Sequence, residues 1–323
     1  MKVLITGGAG YLGSVISKHL LEKGFHVTVI DSLLFNQLSP LQFTSHPNYN
    51  FLYGDIQNTE ILTKEIGKHD IIIPLAAIVG FPACSANPKA AWSINYQQIL
   101  EITELMSPHN QILLYPNTNS GYGIGEEDSE CTEDSPLRPI SVYGETKVKA
   151  ETLLLEFDNV VCFRLATVFG SSPRMRTDLL VNEFVYKAMT DKYIMVFEKN
   201  FRRNFIHIQD VARVFTHAID NFDTMKGNVY NVGLSDANLT KQELLEKIGQ
   251  YVPDFAIEYS DYYEDPDKRD YIVSNKKIES TGWSPQYSLD DGIKELIKTY
   301  RVIIPKMTSE FRNGFPLGYA QNF

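Results

Sequence analysis

The stretch Lys2-Val3-Leu4-Ile5-Thr6-Gly7-Gly8-Ala9-Gly10-Tyr11-Leu12-Gly13 runs an apolar strand straight into glycines, and Ser14 to Lys23 follows with a helical period. The glycines stand as Gly8, Gly10 and Gly13 in a G-x-G-x-x-G spacing, or as Gly7, Gly10 and Gly13 in the wider G-x-x-G-x-x-G spacing. In either reading the missing side chains let backbone approach a diphosphate, and the helix start offers it N–H groups and a positive dipole end. A second apolar run, His26 to Ile30, ends at Asp31, 18 residues after Gly13. A carboxylate there can accept hydrogen bonds from the adenosine ribose hydroxyls and repels a 2′-phosphate. No arginine stands among Ser32, Leu33 and Leu34, so NAD is expected rather than NADP.

Outward from this unit, short apolar runs alternate with helical patterns. Further strands are expected at Asn50 to Tyr53, Asp70 to Pro74, Gln111 to Tyr115, Val160 to Arg164 and Asn228 to Asn231. Helices are expected at Ala90 to Met106, Tyr143 to Phe157 and Asp210 to Asn221. Strand and helix in alternation predict an α/β fold, a Rossmann-type doubly wound parallel sheet with helices on both faces. After Gly170 the pattern loosens into tyrosines, prolines and acids, as in Tyr259 to Asp267, which predicts a smaller C-terminal α/β substrate lobe. The expected division is a dinucleotide-binding domain at 1–170, completed by about 205–233, with 171–204 and 234–323 forming the lobe.

The chemistry-bearing residues lie near the middle. Thr118, in Asn117-Thr118-Asn119-Ser120, stands 25 residues before Tyr143, and Tyr143-Gly144-Glu145-Thr146-Lys147 follows. On a helix, positions 143 and 147 stack on one face, which puts an ammonium beside a phenol. A free phenol has a pKa of about 10 and is a poor base at neutral pH without a neighbouring cation. Lys147 is the cation expected to favour its anion. Thr118 should lie where parallel strands open onto a site, so hydroxyl, phenol and lysine together point to oxidation of an alcohol.

Composition narrows the partners. The net charge of −10 over 323 residues argues against a general nucleic-acid surface. The three cysteines, Cys84, Cys131 and Cys162, have no metal-ligand spacing, so no metal is expected and reduced thiols are. The first strand starts at Lys2 and no apolar run is long enough to cross a bilayer, which predicts a soluble cytoplasmic protein without membrane attachment.

With Gly54-Asp55-Ile56, Leu75-Ala76-Ala77, Asn95-Tyr96 and Arg203-Asn204-Phe205-Ile206-His207 added, the chain resembles the extended short-chain dehydrogenases/reductases of the nucleotide-sugar epimerase and dehydratase group. The resemblance runs from Lys2 to about Tyr300. It implies NAD held by Gly7, Gly10, Tyr11, Leu12, Gly13, Asp31, Ser32, Asp55, Ile56, Leu75, Ala76, Ala77, Asn95, Pro116, Tyr143 and Lys147. It also implies Thr118, Tyr143 and Lys147 as the catalytic set, with Lys147 anchoring the nicotinamide ribose.

In the family's 4,6-dehydratases the residues after this threonine are Asp and Glu, and in its GDP-fucose synthase branch a cysteine stands where Ser120 does. Asn119 and Ser120 transfer no proton at neutral pH, so plain oxidation at a sugar C4 remains. A nucleotide sugar is the implied substrate, with Asn119, Ser120, Thr167, Arg174, Arg176, Asn182, Arg203 and Arg269 as its implied contacts. Arg203 and Arg269 take the family's diphosphate-arginine positions, although Glu264 and Asp265 before Arg269 depart from the family pattern; His207 reads as structural. The wording around Ile73 to Ala77, Tyr115 to Glu126, Phe169 to Arg176 and Asp265 to Tyr271 resembles the branch that oxidises GDP-heptose at C4 for capsule polysaccharide, which favours a GDP-sugar. A 4-epimerase and a non-catalytic NAD-binding redox sensor are the alternatives. The family also implies a homodimer packed through a four-helix interface.

Overall fold

A computed structural model describes residues 1–106, 111–125, 129–260, 262 and 268–304. The acidic pair Glu264 and Asp265, most of the tyrosine-rich stretch at 261–267, and residues 305–323 lie outside the described residues. Seven strands form the main sheet: β1 (Lys2–Thr6), β2 (His26–Asp31), β3 (Tyr49–Tyr53), β4 (Ile71–Pro74), β5 (Ile112–Thr118), β6 (Val160–Leu165) and β7 (Asn228–Val232). Their order is β7-β6-β5-β4-β1-β2-β3 and every neighbouring pair is parallel. The order reverses at β1, so the loops after β1 and β4 depart in opposite directions and leave a crevice at the carboxyl ends of the strands. The doubly wound sheet expected from the sequence is therefore present.

Every residue of β4 and β6 is buried, as strands covered by helices on both faces require. On one face α1 (Tyr11–Glu22) packs beside a later helix, Ile208–Asp220, through Val15, Leu20, Val211 and Phe215. On the other face α2 (Gln98–Leu105) and α3 (Val142–Leu154) bury Ile99, Ile102, Ala150 and Leu154. A separate core joins α4 (Leu180–Thr190) to α5 (Leu289–Ile303) through Val181, Val185, Ile293 and Leu296. A three-stranded sheet, Thr167–Phe169 against Arg202–His207 against Asn238–Thr240, lies beside the crevice mouth.

Two elements depart from the sequence expectation. β5 continues through Pro116 to Thr118 instead of ending at Tyr115. Leu113 donates its N–H to Asn159 on the β6 side and Ile112 to Asp70 on the β4 side, so Pro116, like Ile112, turns its nitrogen toward β4. The β4–β5 pairing stops at Leu113, so the proline costs no ladder bond. The helix expected from Ala90 to Met106 is broken: Pro88–Trp92 is α, Ser93–Gln97 is a π turn, and α2 follows. The π turn carries Asn95, whose amide accepts from Ile78 N at 2.8 Å and donates to Ile78 O at 2.9 Å and Thr146 Oγ1 at 3.3 Å. Asn95 thus braces the loop after β4 against α3, consistent with π turns marking functional regions.

Candidate active site

The glycine loop closes onto the crevice as a cradle. Gly7 has φ +71°, and a Cβ there would lie 2.6 Å from Ala76 N, so only glycine lets the loop rest on the Leu75–Ala76 backbone. Gly10 begins α1 with no side-chain cap and no acidic residue in the first turn. A Cβ at Gly10 would meet only the Gly7 carbonyl, at 3.1 Å, so this side lies open to a close-fitting group, and the uncapped N–H groups suit a diphosphate. Asp31, buried at the end of β2, accepts from Ala9 N at 2.9 Å, Leu33 N at 2.8 Å and Gln37 Nε2 at 3.2 Å. Burial raises its carboxyl above the usual range, opposed by the Leu33 and Ala9 amides. Uncapped helix start, glycine approach and buried acceptor together fit a dinucleotide.

Thr118 stands at the carboxyl end of β5, beside the helix that carries Tyr143 and Lys147. Ser141 caps that helix, its Oγ accepting from Gly144 N at 3.1 Å, which fixes the turn holding Tyr143. Thr118 Oγ1 donates to Ser120 Oγ at 2.9 Å and accepts from Ser120 N at 3.1 Å. One lone pair is then left on Thr118, so toward a ligand this hydroxyl acts as an acceptor. Burial pushes the Tyr143 phenol up to about 12; Cys84 adds to the rise, and Arg176 and Arg269 oppose it. The ligand-free phenol is therefore protonated at neutral pH.

In the ligand-free chain Lys147 lies against an aromatic face. Its Nζ lies 3.9 Å from the Tyr115 ring centroid, and burial lowers the ammonium to about 7, with Cys162, Glu151 and Cys84 opposing. The cations that bear on Tyr143 are Arg176 and Arg269. The i, i+4 spacing put both side chains on one helix face, but packing against β5 turned the lysine inward onto an aromatic face.

Behind this pair lies a buried charged network that the sequence reading missed. Glu151, one helical turn beyond Lys147, accepts from Arg164 Nη2 at 2.6 Å, from Arg164 Nε at 3.1 Å and from Asn117 Nδ2 at 2.5 Å. Arg164 also donates to Tyr122 Oη at 2.9 Å, and Tyr122 donates to Asn231 Oδ1 at 2.7 Å. Since Asn117 precedes Thr118 and Glu151 shares the helix of Tyr143, this network fixes the strand of one against the helix of the other. The signal was available: Glu151 repeats the four-residue step from Tyr143 to Lys147.

Arg203 and Arg269, from the second half of the chain, reach the same spot. Arg269 Nη1 donates to Ser120 Oγ, and Arg203 Nη1 donates to the Arg269 carbonyl. Asn119 is 1% exposed, and neither atom of its amide has a hydrogen-bond partner among the described residues. Thr167, half-buried, begins the strand that pairs with Phe205 to His207.

The sequence model described as the NAD dependent epimerase/dehydratase family matches residues 3–233, most of the chain. The chain belongs to that family. Its relatives include the low-salt glycan biosynthesis protein Agl12 of Haloferax volcanii, 28% identical with 93% of this chain and 98% of that protein covered. CDP-paratose 2-epimerase of Salmonella typhi is 27% identical, with 92% and 98% covered. The crystal structure of dTDP-glucose 4,6-dehydratase from Bacillus anthracis in complex with NAD superposes with a TM-score of 0.79 at 25% identity, covering 94% of this chain and 97% of that one. NAD is the cofactor of this epimerase/dehydratase family member.

Thr118 and Arg269 are both hydrogen-bonded to Ser120, and Arg269 and Arg176 act electrostatically on Tyr143. Two residues read from the sequence as substrate contacts are placed elsewhere. Asn182 is fully buried; its amide accepts from Gly170 N at 3.1 Å and donates to Arg176 O at 2.7 Å and Tyr11 Oη at 3.3 Å, so it ties a loop to α4 and touches no crevice. Arg174 turns toward the β2 end, its guanidinium 4.5 Å from the Phe35 ring centroid. Arg203 is 3% exposed and spends Nη1 on the Arg202 and Arg269 carbonyls, which makes it a support for Arg269. His207 is fully buried, stacks on Tyr287 and lies 3.4 Å from Glu295, a structural histidine as expected. Among the described residues no group of His, Cys, Asp and Glu is placed to hold a metal ion, and no helix is long and apolar enough to cross a membrane.

Proposed function

We propose that this chain oxidises the C4 hydroxyl of a nucleotide-activated sugar and releases the ketone, with GDP-D-glycero-α-D-manno-heptose as the first substrate to test. The observation that carries this reading is the segment after Thr118: an amide and a hydroxyl, Asn119 and Ser120, stand where dehydration across C5 and C6 needs an acid and a base. The resemblance of the Phe169–Arg176 and Asp265–Tyr271 wording to GDP-heptose enzymes supports the guanine nucleotide and the seven-carbon sugar, and with them a role in capsule polysaccharide.

Bound NAD supplies the hydride acceptor. Thr118 accepts a hydrogen bond from a sugar hydroxyl next to C4, which leaves the 4-hydroxyl's own proton turned toward the phenol. Tyr143 takes the 4-hydroxyl proton as the phenolate, its own proton having first left to solvent; Arg176, Arg269 and the positive charge of bound NAD favour that anion. Arg269 binds the substrate diphosphate, and the buried face of Tyr115 together with Glu151 holds Lys147 at the cofactor side. Residues 171–204 and 234–323 are assigned to the nucleotide-sugar lobe in this reading. A homodimer through the two helical segments is part of the proposal, supported by exposed Trp92, Ile140 and Leu155 on or beside them; sedimentation showing only a 36.7 kDa species would contradict it.

A 4-epimerase is the second reading, favoured by relatives named as 4-epimerases, such as UDP-arabinose 4-epimerase of Arabidopsis thaliana. Incubation with GDP-heptose and with UDP-hexoses, followed by carbon NMR of the sugar, separates the two. A persistent C4 ketone supports the dehydrogenase, and an inverted C4 alcohol without ketone overturns it.

A further inference from the structure

At the end of β2 a donor and an acceptor stand near one another and do not meet. The Arg174 side chain is 4% exposed, its Nη1 donates to the Met175 carbonyl at 3.3 Å, and its Nη2 has no hydrogen-bond partner among the described residues. Asp31 Oδ1 accepts from Leu33 N at 2.8 Å and from Gln37 Nε2 at 3.2 Å, whereas Oδ2 accepts from Ala9 N alone among the described residues, at 2.9 Å. A carboxylate oxygen has room for two donors, so Oδ2 keeps one acceptor position. The carboxylate and the guanidinium attract each other through space, yet Nη2 stays unpaired. Buried guanidinium N–H groups are normally paired, and an unpaired one signals an acceptor that arrives with a ligand.

The surroundings say which acceptor. Ser172 donates to the Tyr11 carbonyl at 2.8 Å and bonds Ser14 Oγ at 3.0 Å, so the loop that carries Arg174 lies on the first turn of α1. Arg174 then reaches Phe35, in the segment after β2, which places it between the uncapped helix start and Asp31, at the adenosine half of a bound dinucleotide. An anionic group there would face the Asp31 carboxylate, and a cation would face Arg174. The complement of one free acceptor and one free donor is a neutral group that gives one hydrogen and takes another, which is a hydroxyl. Burial holds the Arg174 guanidinium down to about 10, Arg176 adds to the fall, and Asp178 and Asp31 oppose it, so a hydroxyl oxygen turned toward the cation replaces part of the lost hydration. The segment carrying Phe35 holds Leu33 at φ 53° and Asn36 at φ 51°, a backbone state that side chains with a Cβ rarely adopt, and strain of this kind collects where ligands enter.

We propose that Arg174 is a cofactor ligand and not a substrate contact: Nη2 donates to a hydroxyl oxygen of NAD's adenosine ribose, and that hydroxyl gives its proton to Asp31 Oδ2. The inference rests on NAD as the family's cofactor and is independent of which sugar is oxidised. The test is calorimetric titration of the full-length cofactor-free chain, wild type and Arg174→Gln, with NAD⁺ and with its analogues lacking the 2′- or the 3′-hydroxyl of the adenosine ribose. Arg174→Gln is expected to weaken NAD⁺ about 10- to 100-fold, while the analogue without the bridging hydroxyl binds wild type and variant within about threefold of each other. Thermal unfolding of the cofactor-free proteins checks the fold, and Arg174→Met, which suits the Phe35 face, carries the same comparison if Arg174→Gln does not fold. Equal NAD⁺ affinity in wild type and variant would take Arg174 off the cofactor and overturn the proposal. Equal weakening of NAD⁺ and both analogues would place it on the diphosphate or the base, and overturns it as well.

Discussion

Replacing Lys147 by Met tests how strongly the site's electrostatics are set by burial. The ordinary lysine value of 10.5 falls to about 7 in the folded chain, chiefly because the ammonium leaves water beneath Tyr115. A drop of this size corresponds to roughly 5 kcal/mol between the fully protonated and the neutral limits. The folded pKa lies below the unfolded one, so between about pH 7 and 10.5 the unfolded chain binds the extra proton and stability rises with pH; below about pH 7 the whole penalty is felt. For this one group the slope approaches about 1.4 kcal/mol per pH unit, or about 3 kcal/mol from about pH 7 to pH 9. Lys147→Met, which keeps the length and the apolar stem, lacks that slope. The assay is urea unfolding of cofactor-free protein at stepped pH, and the quantity is the difference between wild type and variant. It should widen in the variant's favour as the pH falls from about 9 to 6. Parallel curves would refute the reasoning: they would mean that Glu151 and the Tyr115 face keep the ammonium charged in place.

Three further outcomes follow from the same geometry. Glu151→Gln leaves Arg164 buried without its carboxylate and should cost roughly 3–5 kcal/mol in denaturant unfolding. Tyr143→Phe should lower kcat by about 10²–10⁴-fold while NAD affinity, read by calorimetry, stays close to wild type; turnover at the wild-type rate would remove the proposed base. Ser120→Ala frees the Thr118 proton and cuts its tie to Arg269, so kcat should fall more than KM rises, and Ser120→Thr should restore part of the loss.

Much of the fold is legible in the chain because its strands are short apolar runs punctuated by glycine or aspartate, and β1, β2 and β4 begin or end within a residue of where those runs do. The pairing of Tyr143 with Lys147 on one helix is legible for the same reason, since helical period is a local property. What Lys147 then touches is not local. Its direction depends on the face of Tyr115, 32 residues earlier, and its protonation depends on burial that no spacing encodes. Where Arg174 and Asn182 lie is not local either, because Tyr11 and Glu295, far away in sequence, pin the segment after Gly170. The continuation of β5 through Pro116 was hidden because proline reads as a break unless the pairing on its nitrogen side is known to have ended.

Tyr11 belongs to the glycine fingerprint, yet its hydroxyl is held by the Gly170 carbonyl at 2.7 Å and by Asn182, 159 and 171 residues further along. The consequence concerns the order of assembly. As the chain emerges during synthesis, β1 and the helix after it can form early, but the first turn of that helix gains its tyrosine's partners only once more than half of the protein has been made. A contact of such sequence separation forms late and cooperatively, so a truncation before residue 170 should yield a sheet-forming fragment that binds dinucleotide poorly although every glycine of the motif is present.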